Sequence, residues 1–175
     1  RGIAIAGSHS KGVLHADGDI DYFIVTAENR LWLARVLLIA FKKVFLFNSH
    51  RYFCVNYFVS EKHLEIPDKN LFTATEISTL IPVFGFDVLA KFKRANNWVG
   101  NYYGHFEHPI VFDDLPPKKR PIKTSIEWLL NNALGNALDV FFMYITMWRW
   151  DVKFKHFDRS QFNLTLRSTR HVSKH

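Results

Sequence analysis

Apolar residues along this chain follow two rhythms: strand-length runs near the start, then repeats at helical spacing. "GIAIAG" (Gly2–Gly7) is a short β-compatible run that stops at Gly7-Ser8, and "DIDYFIVT" (Asp19–Thr26) is a second, rich in aromatic and β-branched residues. Thr26 is a candidate N-cap. After it, Leu31, Ala34, Leu37, Leu38, Phe41 and Phe45 recur near the i, i+3, i+4, i+7 spacing of an amphipathic helix, and Lys42 and Lys43 suit the negative pole at its end. "RYFCVNYFVS" (Arg51–Ser60) reads as a third strand and "KHLEI", just before Pro67, as a short fourth. Thr73 with Glu76 makes a capping-box pattern for a short helix ending before Pro82. Another helix is expected from near Asp87, with Val88, Leu89, Phe92, Ala95 and Trp98 on one side.

The stretch Gly100–Thr124 is dense in Pro, His and charge and predicts a long loop or hinge. Ser125 is placed to cap a long helix whose Leu129, Leu130, Ala133, Leu134, Ala137, Leu138, Phe141, Phe142 and Ile145 share one face, and the tail "QFNLTLRSTRH" alternates briefly. The expected class is α+β, with an αβ core over residues 1–67 and a mainly helical region over 68–175.

Composition narrows the picture. With 175 residues there is room for one domain with a real core, or one domain and a helical appendage, and not for two large domains. A hydrophobic fraction of 48% and an aromatic fraction of 16% exclude a disordered chain. Cys54 is the single cysteine, which rules out an intramolecular disulfide and makes a reducing, cytoplasmic setting the expectation. The chain starts inside an apolar run and stops without a closing signal, as a piece of a longer protein would. The apolar stretch Ala137–Trp150 is broken by Asp139 and Arg149 and falls short of the ~20 residues a bilayer span needs, so no membrane span is expected. The net charge of +7 suits a polyanionic partner. The tract "MWRWDVKFKHF" either stacks bases or ends a buried helix, and the histidines, of which His105 and His108 come nearest, lack the paired spacing of a zinc site.

Chemistry concentrates near the N-terminus. An aspartate inside a strand is disfavoured, and burying its charge unpaired costs several kcal/mol, so it needs a cation or donors beside it. Asp19 and Asp21, at i and i+2, are expected on one strand face, where two carboxylates side by side hold Mg²⁺ (or Mn²⁺) while substrate phosphate and waters complete the octahedron. A helix beginning at Gly7 or Ser8 would offer backbone N–H groups and a hydroxyl to phosphate oxygens, with Lys11 one turn further on.

"AGS", ten residues, then "DIDY" resembles the signature of the DNA polymerase β-like nucleotidyltransferase superfamily, over about Ile3 to Thr26. The wording of the flanking segments is similar to a bacterial branch of nucleotidyltransferase-domain proteins with no assigned acceptor. The resemblance implies a small mixed sheet with flanking helices, Asp19 and Asp21 as ligands of the catalytic metal, and Gly7 and Ser8 as the seat of a nucleoside triphosphate. It further implies transfer of a nucleoside monophosphate to an acceptor hydroxyl on a small molecule, protein or RNA, with pyrophosphate leaving and residues 68–175 shaping the acceptor side.

That superfamily usually carries a third carboxylate on a later strand, and the strand here, "YFCVNYFV", has none. Strand alternation leaves Cys54 or Asn56 in the expected place. Glu65 in "HLEI" is the leading candidate to supply the missing oxygen, with Glu61 and Asp68 behind it. The alternative is a nucleotide-binding module that transfers slowly or not at all.

Overall fold

The computed structural model describes residues 1–13, 18–47, 49, 53–104, 125, 127, 130–153 and 168–170. Strand β1 (Gly2–Ala6) runs into a one-turn helix, α1 (Gly7–Ser10), and β2 (Asp21–Thr26) returns antiparallel to β1, Ala6 facing Asp21. Helix α2 (Leu31–Phe45) then crosses over to β3 (Cys54–Ser60), which lies parallel to β2. Next come α3 (Leu71–Ser78), β4 (Ile81–Phe84), α4 (Phe86–Ala95), a 3₁₀ turn at Asn97–Val99 and α5 (Gly100–Tyr103). Helix α6 (Ala133–Lys153) and strand β5 (Ser168–Arg170) complete the described elements. The five strands form one mixed sheet in the order β4-β1-β2-β3-β5. The fold is α+β.

Period-two alternation sends the two faces of β2 to different cores. Phe23 and Val25 pack with Val59, Ala74, Ile77, Leu89, Phe92 and Trp98 beneath α3 and α4. Ile24 joins Leu31, Trp32, Phe58 and Met143 beneath α2 and α6. The sheet is thus sandwiched between two helical layers.

Several expectations change. The sheet also takes β4 and β5, two strands from beyond Pro67. "KHLEI" forms no strand. Instead the side chain of Asn96, 1% exposed, acts as its ladder partner: Ile66 N–H donates to Oδ1 and Nδ2 donates to the Leu64 carbonyl, each at 2.8 Å. Asn70, not Thr73, caps α3, its Oδ1 accepting from Thr73 N–H at 2.9 Å. Thr26 stays in β2, its hydroxyl donating to the Val59 carbonyl, and α2 starts four residues later than that cap would put it.

Asp139 of α6 supplies what the start of α2 lacks. Its Oδ1 accepts from Leu33 N–H at 2.8 Å and the carboxylate also takes Trp32 N–H, satisfying two orphan donors of the first turn. Within the described part, α6 begins only at Ala133, after a bend at 131–132. The expected loop beyond Gly104, His105 and His108, the basic end of "MWRWDVKFKHF" and residues 161–167 of the tail lie outside the described residues. Among the described residues no helix is long and apolar enough to cross a membrane.

Candidate nucleotide and metal site

The turn after β1 and the first residue of β2 meet. Gly7 has φ +71°, in the left-handed region that favours glycine, and a Cβ built on it would lie 2.2 Å from Asp21 Oδ2 and 3.0 Å from its Cγ. Only a residue without a side chain lets the backbone come this close to the carboxylate. Ser10 holds the turn in shape, its hydroxyl donating to the Gly7 carbonyl at 2.9 Å and reaching Thr79 Oγ1 at 3.3 Å, which ties α1 to the end of α3. Ser8 sits within α1, its carbonyl accepting from the N–H groups of Lys11 and Val13, each at 3.1 Å. One helical turn has little macrodipole; what it offers an anion is the N–H groups of Gly7, Ser8 and His9, which have no intrahelical acceptor. His9 Nδ1 is buried, with no hydrogen-bond partner among the described residues.

Asp21 opens β2 and faces Cys54 across the parallel ladder, with Cys54 N–H donating to the Ile20 carbonyl at 3.0 Å. The regular strand starts at Asp21, so Asp19 lies just ahead of it rather than inside it. The two carboxylates still share a neighbour. Burial first, then the charge of Asp21, a hydrogen bond to Asp21 and the charge of Asp19 push the Cys54 thiol up to about 12, with Lys42 opposing. Cys54 is therefore a neutral thiol at pH 7, donating to Asp21.

Cys54 thus takes the place where a third carboxylate is expected. A bulge falls at Asn56, because Tyr22 pairs with Val55 and Phe23 with Tyr57, so simple alternation does not run through this strand. Glu65 does not fill the gap. It follows Ser60 at the far end of β3, six strand steps or about 20 Å from Cys54. Its carboxylate, 60% exposed, pairs with Lys69 at 2.7 Å. Glu61 is likewise at the far end, 3.3 Å from Arg1, and Asp68 lies beyond Glu65 in the same connection. Lys11 forms an ion pair with Glu76 of α3, so it reaches a phosphate only by leaving that partner.

Two cations stand near the site that the sequence reading did not place there: Arg35 went unnamed and Lys42 was read only as a helix-end charge. Lys42 is 7% and Arg35 5% exposed, and both are close enough to act on the Cys54 thiol. The Arg35 guanidinium lies 5.3 Å from the Phe58 ring centroid and 4.9 Å from that of Trp150, and burial lowers its pKa to about 10. The signal was present: Leu31, Arg35, Leu38 and Lys42 follow one another at i, i+4, i+7 and i+11, so both cations interrupt the core-facing stripe.

A divalent cation fits part of this arrangement. Hard Mg²⁺ wants oxygen ligands and usually takes one or two carboxylates with substrate phosphate and water, which Asp19, Asp21 and the open Gly7 turn can meet. A neutral thiol is a poor ligand for it. Among the described residues no group of three or more His, Cys, Asp or Glu side chains is placed to hold a metal ion by itself. Any cation here would depend on its substrate for ligands.

No protein-family model, curated protein or solved structure matches this chain. What the site can do rests on its own residues.

Proposed function

We propose that this chain is a nucleotide-binding domain of the nucleotidyltransferase type, holding a nucleoside triphosphate with one Mg²⁺ or Mn²⁺ and transferring slowly or not at all. The observation that carries this is the Gly7–Asp21 approach, a backbone turn pressed against a carboxylate whose ladder partner is a protonated thiol. In this reading Asp19 and Asp21 hold the cation, Gly7 and Ser8 seat the phosphates, and β1, β2 and β3 are the core strands of a polymerase β-like sheet. When bound, the cation would neutralise phosphate charge and orient the leaving pyrophosphate. Cys54 has no basic form near neutral pH, so it draws no proton from an acceptor hydroxyl.

Calorimetry with each NTP in the presence and absence of Mg²⁺ tests binding, and pyrophosphate release tests transfer. Metal-dependent binding that is lost in Asp21→Asn, with little pyrophosphate released, is expected. Binding that persists unchanged in Asp21→Asn contradicts the proposal. Steady pyrophosphate release by the wild type would establish instead an active transferase, the second reading that the intact Asp19–Asp21 pair supports, with the acceptor still to be identified.

A further inference from the structure

Helix α6 is apolar on two opposite faces. Its inner face turns Met143, 6% exposed, and Phe142 onto the core that Trp32 and Phe58 share, with Asp139 beside them at the start of α2. At about 100° per residue, the opposite side carries Leu134, Ala137, Phe141, Tyr144, Trp148 and Val152, three or four residues apart at each step. That is the spacing of a two-helix seam. All six are exposed, Leu134 by 62%, Phe141 by 56%, Tyr144 by 65% and Trp148 by 67%. A helix that is apolar all round is ordinarily buried all round, so this stripe calls for a second layer.

The chemistry of the stripe narrows what that layer is. Although 22% of the chain is charged, the only charged residue from Leu134 to Trp148 is Asp139, and it is buried. An acidic partner would find no cation along the stripe, and an anionic membrane would find none of the Lys or Arg that rim a surface-seeking helix. The uncovered area is large. The six side chains expose roughly 700 Å² per copy, above the about 300–600 Å² of a typical monomer's largest patch and close to the ~800 Å² each partner gives to a standard interface.

The stripe also complements itself. Turned end for end about an axis between Phe141 and Tyr144, it sets Phe141 against a second copy's Tyr144, Ala137 against its Trp148 and Leu134 near its Val152. The smallest side chain of the stripe then meets the largest, as interdigitating layers require. In a parallel pairing Ala137 would meet Ala137 and Trp148 would meet Trp148, which leaves one layer empty and overfills another. We propose that α6 pairs antiparallel with α6 of a second copy of this chain, forming a closed two-fold dimer sealed by Phe141, Tyr144 and Trp148. The seam includes none of Gly7, Asp19 or Asp21, so it forms whether or not the chain holds nucleotide.

Sedimentation velocity of the full chain, from about 1 to 200 µM, tests the pairing. The expected result is a monomer–dimer equilibrium with a dissociation constant in the micromolar range, as suits an uncharged interface of this size. Trp148→Glu, at an exposed position, should keep the fold, as far-UV circular dichroism reports, and dimerise at least tenfold more weakly. Ala137→Trp should weaken the dimer by a similar factor because it puts two indoles in one layer, whereas it would strengthen a parallel seam by filling the empty one. The proposal is overturned if the wild type stays monomeric throughout, if it assembles beyond a dimer, or if either variant dimerises as tightly as the wild type.

Discussion

Replacing Gly7 with alanine separates two costs that the structure places at one residue. Gly7 and Gly12 both have positive φ, +71° and +76°, but among the described residues a Cβ at Gly12 meets nothing within 4 Å, whereas one at Gly7 lies 2.2 Å from Asp21 Oδ2. Gly12→Ala therefore carries only the backbone penalty of a left-handed L-residue, about 1–2 kcal/mol. Gly7→Ala carries the same penalty and must also drive the Asp21 carboxylate back by on the order of 1 Å, an overpacking cost of roughly 1–3 kcal/mol more. Urea unfolding of both variants at constant m-value measures the difference directly. Calorimetry with ATP and Mg²⁺ should then find binding lost in Gly7→Ala and kept in Gly12→Ala. If the two variants are equally stable and bind nucleotide equally well, the contact between turn and carboxylate is not what holds this site together.

Asn96→Ala removes four hydrogen-bond partnerships, with Ile66, Leu64, Phe92 and Trp98, three of them buried, and should cost about 3 kcal/mol or more, read as a fall in urea midpoint. Asp139→Ala takes away the cap that α6 gives α2 and should cost about 1–2 kcal/mol while nucleotide affinity stays unchanged. Because the folded pKa of Cys54 is raised, its stabilising contribution is complete below about pH 9 and declines as pH rises towards 12. Cys54→Ser should therefore flatten the fall in stability over that interval, measured by urea midpoints from pH 8 to 11. Glu65→Gln should leave nucleotide binding as it is, whereas Cys54→Asp should raise any pyrophosphate release, since it puts an oxygen ligand beside Asp21.

The parts of this molecule that were legible in its sequence are those fixed by short-range relations. Gly7, Ser8, Asp19 and Asp21 lie on one strand-turn-strand unit, so spacing alone brought Gly7 and Asp21 together. The α2 and β3 elements declared themselves by periodicity, yet Leu37 and Phe41, counted on the apolar face of α2, are 51% and 46% exposed while Arg35 and Lys42 are buried. Identity outweighed position in that reading. The edge strands were missed for different reasons: Pro82 looks like a helix stop, but an edge strand tolerates a residue without an N–H, and Pro82 pairs with Ala4 there. "KHLEI" looked like a strand because its backbone is indeed hydrogen-bonded, though to a side chain thirty residues away in Asn96. Glu65 was misplaced with it. Nothing local says which end of the sheet a connecting segment reaches, and the bulge at Asn56 is invisible to simple alternation.

Paramagnetic broadening by Mn²⁺ in the presence of ATP tests the central claim most directly, because it maps a bound cation residue by residue without requiring turnover. The amide cross-peaks of Gly7, Ser8, Asp21 and Cys54 should disappear first, those of Ser60 and Lys62 at the other end of the sheet should persist, and Asp21→Asn should restore the lost signals. Broadening centred anywhere else, or unchanged by that substitution, would contradict a metal-nucleotide site at the Gly7–Asp21 turn.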